Sequence, residues 1–195
     1  MERIRVMLVE DDSFWQQNIS SDLAEETDID VVAVVGTGEE AVRTALETEI
    51  DVVLMDINLT ENNLDGLEAA HEISTLLTHR NVKIIMLTSL SDKDIIIKSF
   101  QLGAMNYITK QSYKDIVRAV REAYANRSAI HADAASIMRN EVQLMPLTPT
   151  EREVFELRKQ GLSKQQISEK LYKSTNTIKS QLKSIKNKLN PFRNG

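Results

Sequence analysis

Glu10-Asp11, Asp56 and Lys110 are the residues of this chain whose types and positions invite chemistry, because each stands at or just past the end of an apolar run. Ile4 to Val9 leads into Glu10-Asp11, Val52 to Met55 into Asp56, and Val82 to Leu87 into Thr88, while Met105 to Ile108 stops two residues before Lys110. If folding gathers these run ends, three carboxylates meet. Such a cluster needs raised pKa values or a cation. Donors that are all oxygen, with room left for water, suit a hard ion such as Mg2+.

The elements that must gather them are legible in the periodicity. The runs at 4–9, 31–35, 52–55, 82–87 and 105–108 are of strand length and lack polar alternation, as expected of strands buried on both faces. Between them lie segments with helical spacing: Phe14, Ile19 and Leu23; Ala41, Ala45 and Leu46; Leu67, Ala70, Ile73 and Leu77; Ile95 to Leu102; and Ile116, Val117, Val120 and Tyr124. Five βα units in sequence imply an α/β fold, a parallel sheet with helices on both sides. Ligands of such sheets bind beyond the carboxyl ends of the strands, where strand order reverses. Ile95-Ile96-Ile97 cannot all face the sheet, so at least one should lie near the helix rim.

Composition separates the two ends of the chain. Of 195 residues, 24 are Lys or Arg and 29 Asp or Glu, a net charge of −5. From Leu147 to Gly195 there are 11 basic residues against 4 acidic, a net +7, leaving −12 on residues 1–146. An acidic body with a basic tail favours a nucleic-acid partner for the tail. There are no cysteines, which excludes disulfides and thiolate metal sites. The longest apolar runs fall far short of the roughly 20 residues that span a bilayer. A cytoplasmic location without a membrane partner is expected.

Taken singly, each candidate has an ordinary explanation: a turn or cap for Asp56, a helix cap for Thr88, edge packing for Tyr107, surface charge for Lys110. Together, Glu10-Asp11, Asp56, Thr88, Tyr107 and Lys110 at ordered strand ends resemble the receiver domain of bacterial two-component response regulators. The resemblance implies a flavodoxin-like (βα)5 domain over residues 1–126, with Asp56 accepting a phosphoryl group from a histidine kinase. It implies that Asp11, Asp56 and the backbone carbonyl of Asn58 hold Mg2+, with Glu10 acting through water. Lys110 would pair with one phosphoryl oxygen and Thr88 would bond another, drawing Tyr107 from an exposed to a buried position. Phosphoryl transfer needs mainly positioning and charge neutralisation, and an ionised carboxylate needs no separate base. The role implied is signalling rather than that of an enzyme, beyond slow autophosphorylation and autodephosphorylation of Asp56.

Two stretches depart from the family pattern. Thr60-Glu61-Asn62-Asn63-Leu64-Asp65 replaces a shorter loop that usually carries proline, which predicts a longer, looser loop before Gly66, and Gln111 stands where many receivers have proline after the lysine. Asp56-Ile57-Asn58-Leu59-Thr60 also resembles the DxDxT motif of haloacid-dehalogenase-like phosphatases, but Asn58 stands where that family needs an acid/base. Trp15, His71, His79 and His131 show no partner in sequence and are read as structural.

Residues 127–146 read as a linker with a short helix over 132–139, and residues 147–195 as a small all-α module. Thr148, Pro149 and Glu151 have the order of a capped helix start; that helix ends at Gly161, Ser163 caps a second to Leu171, and Ser174 a third to Leu189. In the third, Ile178, Leu182, Ile185 and Leu189 form a buried stripe opposite Lys179, Lys183 and Lys186, a helix-turn-helix arrangement. Thr175 and Thr177 lie in its first turn, where free N–H groups favour phosphate. The segments LTPTEREV, GLSKQQISEKL and TIKSQLKSIKNKL resemble the LuxR-type helix-turn-helix of NarL/FixJ regulators. That resemblance implies Lys179, Ser180 and Lys183 facing the major groove of operator DNA, Thr177 and its neighbours touching phosphates, and Gln181 at a position often held by histidine. The family has a fourth helix after the recognition helix, where this sequence reads Pro191 to Gly195. The combined expectation is a transcription regulator that forms a homodimer on phosphorylation. The alternative is a receiver that controls DNA binding without phosphate.

Overall fold

A computed structural model describes residues 3–60, 64–127 and 130–190. Contacts divide the chain into two units, Met1–Ile137 and Met138–Gly195. In the first, five strands, β1 (Ile4–Val9), β2 (Ile29–Val35), β3 (Val52–Met55), β4 (Lys83–Thr88) and β5 (Asn106–Thr109), alternate with five helices, α1 (Ser13–Ala24), α2 (Gly38–Glu47), α3 (Asp65–Leu76), α4 (Lys93–Gln101) and α5 (Ile116–Tyr124). The sheet is wholly parallel in the order β2-β1-β3-β4-β5. Strand order therefore reverses between β1 and β3, whose carboxyl ends carry Glu10-Asp11 and Asp56.

The three central strands obey the sequence reading. Val52 to Met55 are buried without exception, and Val6, Leu8, Leu54, Ile85 and Leu87 meet Ile19, Leu23, Ile116 and Val120 in one core. At roughly 25 cal/mol per Å2 of apolar area, such burial dominates the energetics of the sheet. β2 corrects the expectation of full burial. As an edge strand it is only partly covered, Val34 is 43% exposed, and it begins at Ile29, two residues earlier than the apolar run. In α4, Ile96 is buried while Ile95 and Ile97 lie half-buried at the rim.

The loops are tied by short polar side chains. Asp12 caps α1 by accepting from Phe14 N–H, Thr37 caps α2, and Asp92 caps α4, so Thr88 is not that helix's cap. Gly66 could be nothing else: a Cβ there would stand 1.8 Å from the carbonyl oxygen of Asp56. The longer loop before it falls partly on residues 61–63, outside the described residues. Its two ends are joined by Asp65, which accepts from Leu59 N–H at 3.0 Å and from the Thr60 hydroxyl at 2.8 Å.

The region read as a linker contains a longer helix than expected, α6 (Ala132–Leu144), whose first residues belong to the first unit and whose last belong to the second. The second unit continues with α7 (Pro149–Lys159), α8 (Lys164–Lys170) and α9 (Thr175–Leu189) around Leu144, Leu147, Val154, Leu157, Ile167, Ile178 and Ile185. Thr148 and Glu151 form a capping box, as do Ser163 and Gln166, and Ser174 caps α9. Glu151 also accepts from Ser184 and Lys188, both at 2.6 Å. The Lys188 bond first, then those from Ser184 and the Thr148 amide, bring its carboxyl down to about 2. Among the described residues no helix is long and apolar enough to cross a membrane.

Candidate functional site

Glu10, Asp56, Thr88 and Lys110 converge at the carboxyl edge of the sheet, all buried. The Lys110 ammonium joins the carboxylates: it donates to Asp56 Oδ2 at 2.7 Å and to Glu10 Oε1 at 2.9 Å, and lies 2.6 Å from Glu10 Oε2. The other oxygen of Asp56, Oδ1, accepts from the amides of Ile57 at 2.6 Å and Asn58 at 3.5 Å. Asp11 is exposed beside them, and one carboxylate oxygen from each of Glu10, Asp11 and Asp56 falls within a 4.8 Å group that could hold a metal ion.

The electrostatics follow from burial. Glu10 is fully shielded from water, and that desolvation, with the charge of Asp56, lifts its carboxyl to about 7 against the opposing bond from Lys110. Lys110 is disfavoured as a cation by burial, but its bonds to Asp56 and Glu10 outweigh this and hold it above the ordinary lysine value. No described peptide bond is cis, including that between Lys110 and Gln111.

Thr88 ends β4, and its hydroxyl oxygen accepts from Leu90 N–H at 3.2 Å. Tyr107 is fully buried, its hydroxyl donating to the Leu90 carbonyl at 2.7 Å. It thus occupies the inward of the two positions expected from the sequence. Burial first, and the charge of Asp56 second, push the Tyr107 phenol above its ordinary pKa.

Two residues set aside as structural have partners, Trp15 at the site and His131 beyond it. The ring of Trp15 lies 5.5 Å from the Lys110 ammonium and makes edge contacts with Tyr113 and Phe14. His131 belongs to a clasp between the start of α6 and the segment after β5. Its backbone N–H donates to Asn106 Oδ1 at 2.8 Å; its Nδ1 accepts from Asp133 N–H at 3.3 Å, leaving Nε2 to donate to Asp115 Oδ2 at 3.1 Å. Asp133 accepts from the amide and hydroxyl of Thr109 at 2.8 and 2.9 Å. A residue pair separated by dozens of positions leaves no periodic trace, so only an Asp at the start of a helical segment hinted at the clasp. His71 and His79 are exposed.

In the second unit, Thr175, Thr177, Lys179, Ser180, Lys183 and Lys186 are exposed on α9, while Ile178 and Ile185 are buried. Gln181 is half-buried.

A five-stranded parallel sheet with an acid-lysine cluster at its carboxyl edge, followed by a helix-turn-helix unit, defines a receiver joined to a DNA-binding domain. Residues 6–121 match the response regulator receiver domain, and residues 145–191 match the luxR family of bacterial regulatory proteins. The chain is similar to the response regulator protein VraR of Staphylococcus saprophyticus, with 32% identity over 95% of this chain and 90% of that protein. It is also similar to the transcriptional regulatory protein LnrK of Bacillus subtilis, with 30% identity over the same shares. Among solved structures, the Salmonella typhimurium RcsB response regulator shares the fold, with a TM-score of 0.67 and 21% identity over 97% of this chain and 93% of that one. The protein belongs to the response regulators with a LuxR-type DNA-binding domain, a family of transcription regulators rather than enzymes.

Proposed function

We propose that Asp56 is the phosphoacceptor of this regulator, receiving a phosphoryl group from a histidine kinase in the cytoplasm. The observation that carries the reading is the Lys110 ammonium shared between Asp56 and Glu10. Two amides polarise and orient one oxygen of Asp56 while the ammonium faces the other, so the carboxylate is positioned before any donor arrives. Asp11, Asp56 and the carbonyl of Asn58, with Glu10 through water, would hold Mg2+, which neutralises charge on the phosphoryl oxygens. Once an Asp56 oxygen has attacked the phosphorus and the donor's P–N bond has broken, Asp56 is an acyl phosphate, and Lys110, losing a full carboxylate, turns to a phosphoryl oxygen.

Leu90 carries the change outward. Its N–H bonds Thr88 and its carbonyl bonds Tyr107, so a Thr88 hydroxyl that turns to the phosphoryl group releases one end of a segment whose other end holds Tyr107. The surface of α4, β5 and α5 is thereby coupled to the state of Asp56. The output is a homodimer that sets two helix-turn-helix units on two half-sites, gaining effective concentration. Lys179, Ser180 and Lys183 face the major groove, and Thr175, Thr177 and Lys186 contact phosphates; the exposure of all six supports this reading.

Intact mass after incubation with Mg2+ and acetyl phosphate tests it, with size exclusion on the same samples. A single phosphoryl adduct on wild type, absent from Asp56→Asn and accompanied by a shift to dimer, is expected. An unmodified wild type, or an adduct that persists in Asp56→Asn, would overturn the assignment.

A further inference from the structure

Among the described residues, four helices end in the same way. After α4, α5, α7 and α8, the residue past the cap takes a positive φ, and two backbone bonds close the turn: its own N–H returns three residues and the next N–H returns five. Such a turn favours glycine, or asparagine next. Three of the four comply, with Gly103 (φ 103°), Asn126 (φ 52°) and Gly161 (φ 91°). The fourth is Tyr172, at φ 52°, with its N–H bonded to Glu169 O at 3.3 Å and that of Lys173 to Ser168 O at 3.0 Å. A bulky side chain in this conformation is strained.

The two backbone bonds that close the turn would form equally with glycine at this position, so they do not account for a tyrosine there. Tyr172 is 97% exposed, the highest value among the exposed large apolar residues, whereas a structural aromatic would bury its ring. Its place is the turn of the helix-turn-helix, two residues before the Ser174 cap of α9 and beside Lys170 and Lys173. The surrounding tail carries a net +7. Aromatic strain at full exposure, in the turn of a DNA-binding motif, marks a group kept for what the motif binds.

We propose that Tyr172 is a DNA-contacting residue: its hydroxyl donates to a backbone phosphate and its ring packs on the adjoining sugar, fixing how α9 enters the groove. Contacts of this kind position a protein and do not depend on base sequence. The contact is independent of Asp56 and is separate from the lysines of α9.

The test uses the full chain and a fluorescein-labelled, mixed-sequence 30-base-pair duplex at low salt, read by anisotropy, with melting temperature measured in parallel. Tyr172→Gly and Tyr172→Asn relieve the strain, so both should melt at or above the wild-type temperature, yet bind DNA about fivefold to tenfold more weakly. Tyr172→Phe should fall between, having lost the hydroxyl alone. Because the phenol is neutral, the salt dependence should keep its slope, whereas Lys183→Ala should flatten it. Wild-type affinity in the Gly and Asn variants would overturn the proposal, as would a wild type that does not bind the duplex. If Lys183→Ala still weakens binding while both Tyr172 variants do not, the DNA-facing assignment of α9 survives and that of Tyr172 fails. A lower dimer fraction on sedimentation with unchanged duplex affinity would assign Tyr172 to a second copy of the chain and refute the DNA contact.

Discussion

A carboxylate as thoroughly shielded from water as Glu10 ionises reluctantly, and its burial raises its carboxyl to about 7. Lys110 supplies one compensating charge, shared with Asp56. A divalent cation at Glu10, Asp11 and Asp56 would supply the remainder, and below pH 7 it would compete with a proton on Glu10. The sign follows directly: a raised acid pKa makes Mg2+ binding weaken as pH falls. Affinity should drop about tenfold between pH 8 and pH 6 if one proton is released on binding. Calorimetry can measure this, and so can emission from Trp15, the chain's single tryptophan, whose ring lies 5.5 Å from Lys110. Affinity that is flat or rising toward pH 6 would show that Glu10 does not take part.

At the scale of elements, the clasp at the start of α6 concentrates several polar contacts within a few residues. Asp133 alone accepts from Thr109 N–H, the Thr109 hydroxyl and, at 3.3 Å, the Ser112 hydroxyl. Although burial opposes it, these bonds hold the Asp133 carboxyl below its ordinary pKa. Thr109 immediately precedes Lys110, so the first turn of α6 is bonded to the residue next to the site's ammonium. Asp133→Ala leaves a half-buried amide without its acceptor, at a cost of about 1–3 kcal/mol. Hydrogen exchange at the Thr109 amide should accelerate in that variant, while amides of β1 and β3 should not change. Unaltered exchange at Thr109 would mean that the clasp contributes little in solution.

Across the whole molecule, two separate cores carry surroundings of opposite charge. The acidic body, net −12, attracts cations, and the basic tail, net +7, attracts polyanions such as DNA. Because Ile185 packs in the second core, Ile185→Ala should destabilise that unit by about 2–5 kcal/mol. Binding of duplex DNA should fall with it. The Mg2+ response of Trp15 should persist, since that residue packs against the first core. Loss of both responses in the same variant would show that the units do not fold separately.

What the sequence by itself determined is local or ordered along the chain. Apolar runs of strand length, caps such as Thr148, Ser163 and Ser174, and the order of Glu10, Asp56, Thr88 and Lys110 at run ends are written in neighbouring residues, because periodicity and capping involve partners a few positions apart. The family pattern followed from that order. Tertiary structure alone decided the rest: Lys110 meets Glu10 across 100 residues, Tyr107 meets Leu90 across 17, and Asp133 meets Thr109 across 24. It also decided that β2 is an edge and that Trp15 and His131 have partners, for an edge is defined by the strand that does not lie beside it. The strain at Tyr172 likewise emerged only when its φ could be set beside those of Gly103, Asn126 and Gly161, since a tyrosine, unlike a glycine, gives no sign in sequence of a left-handed conformation.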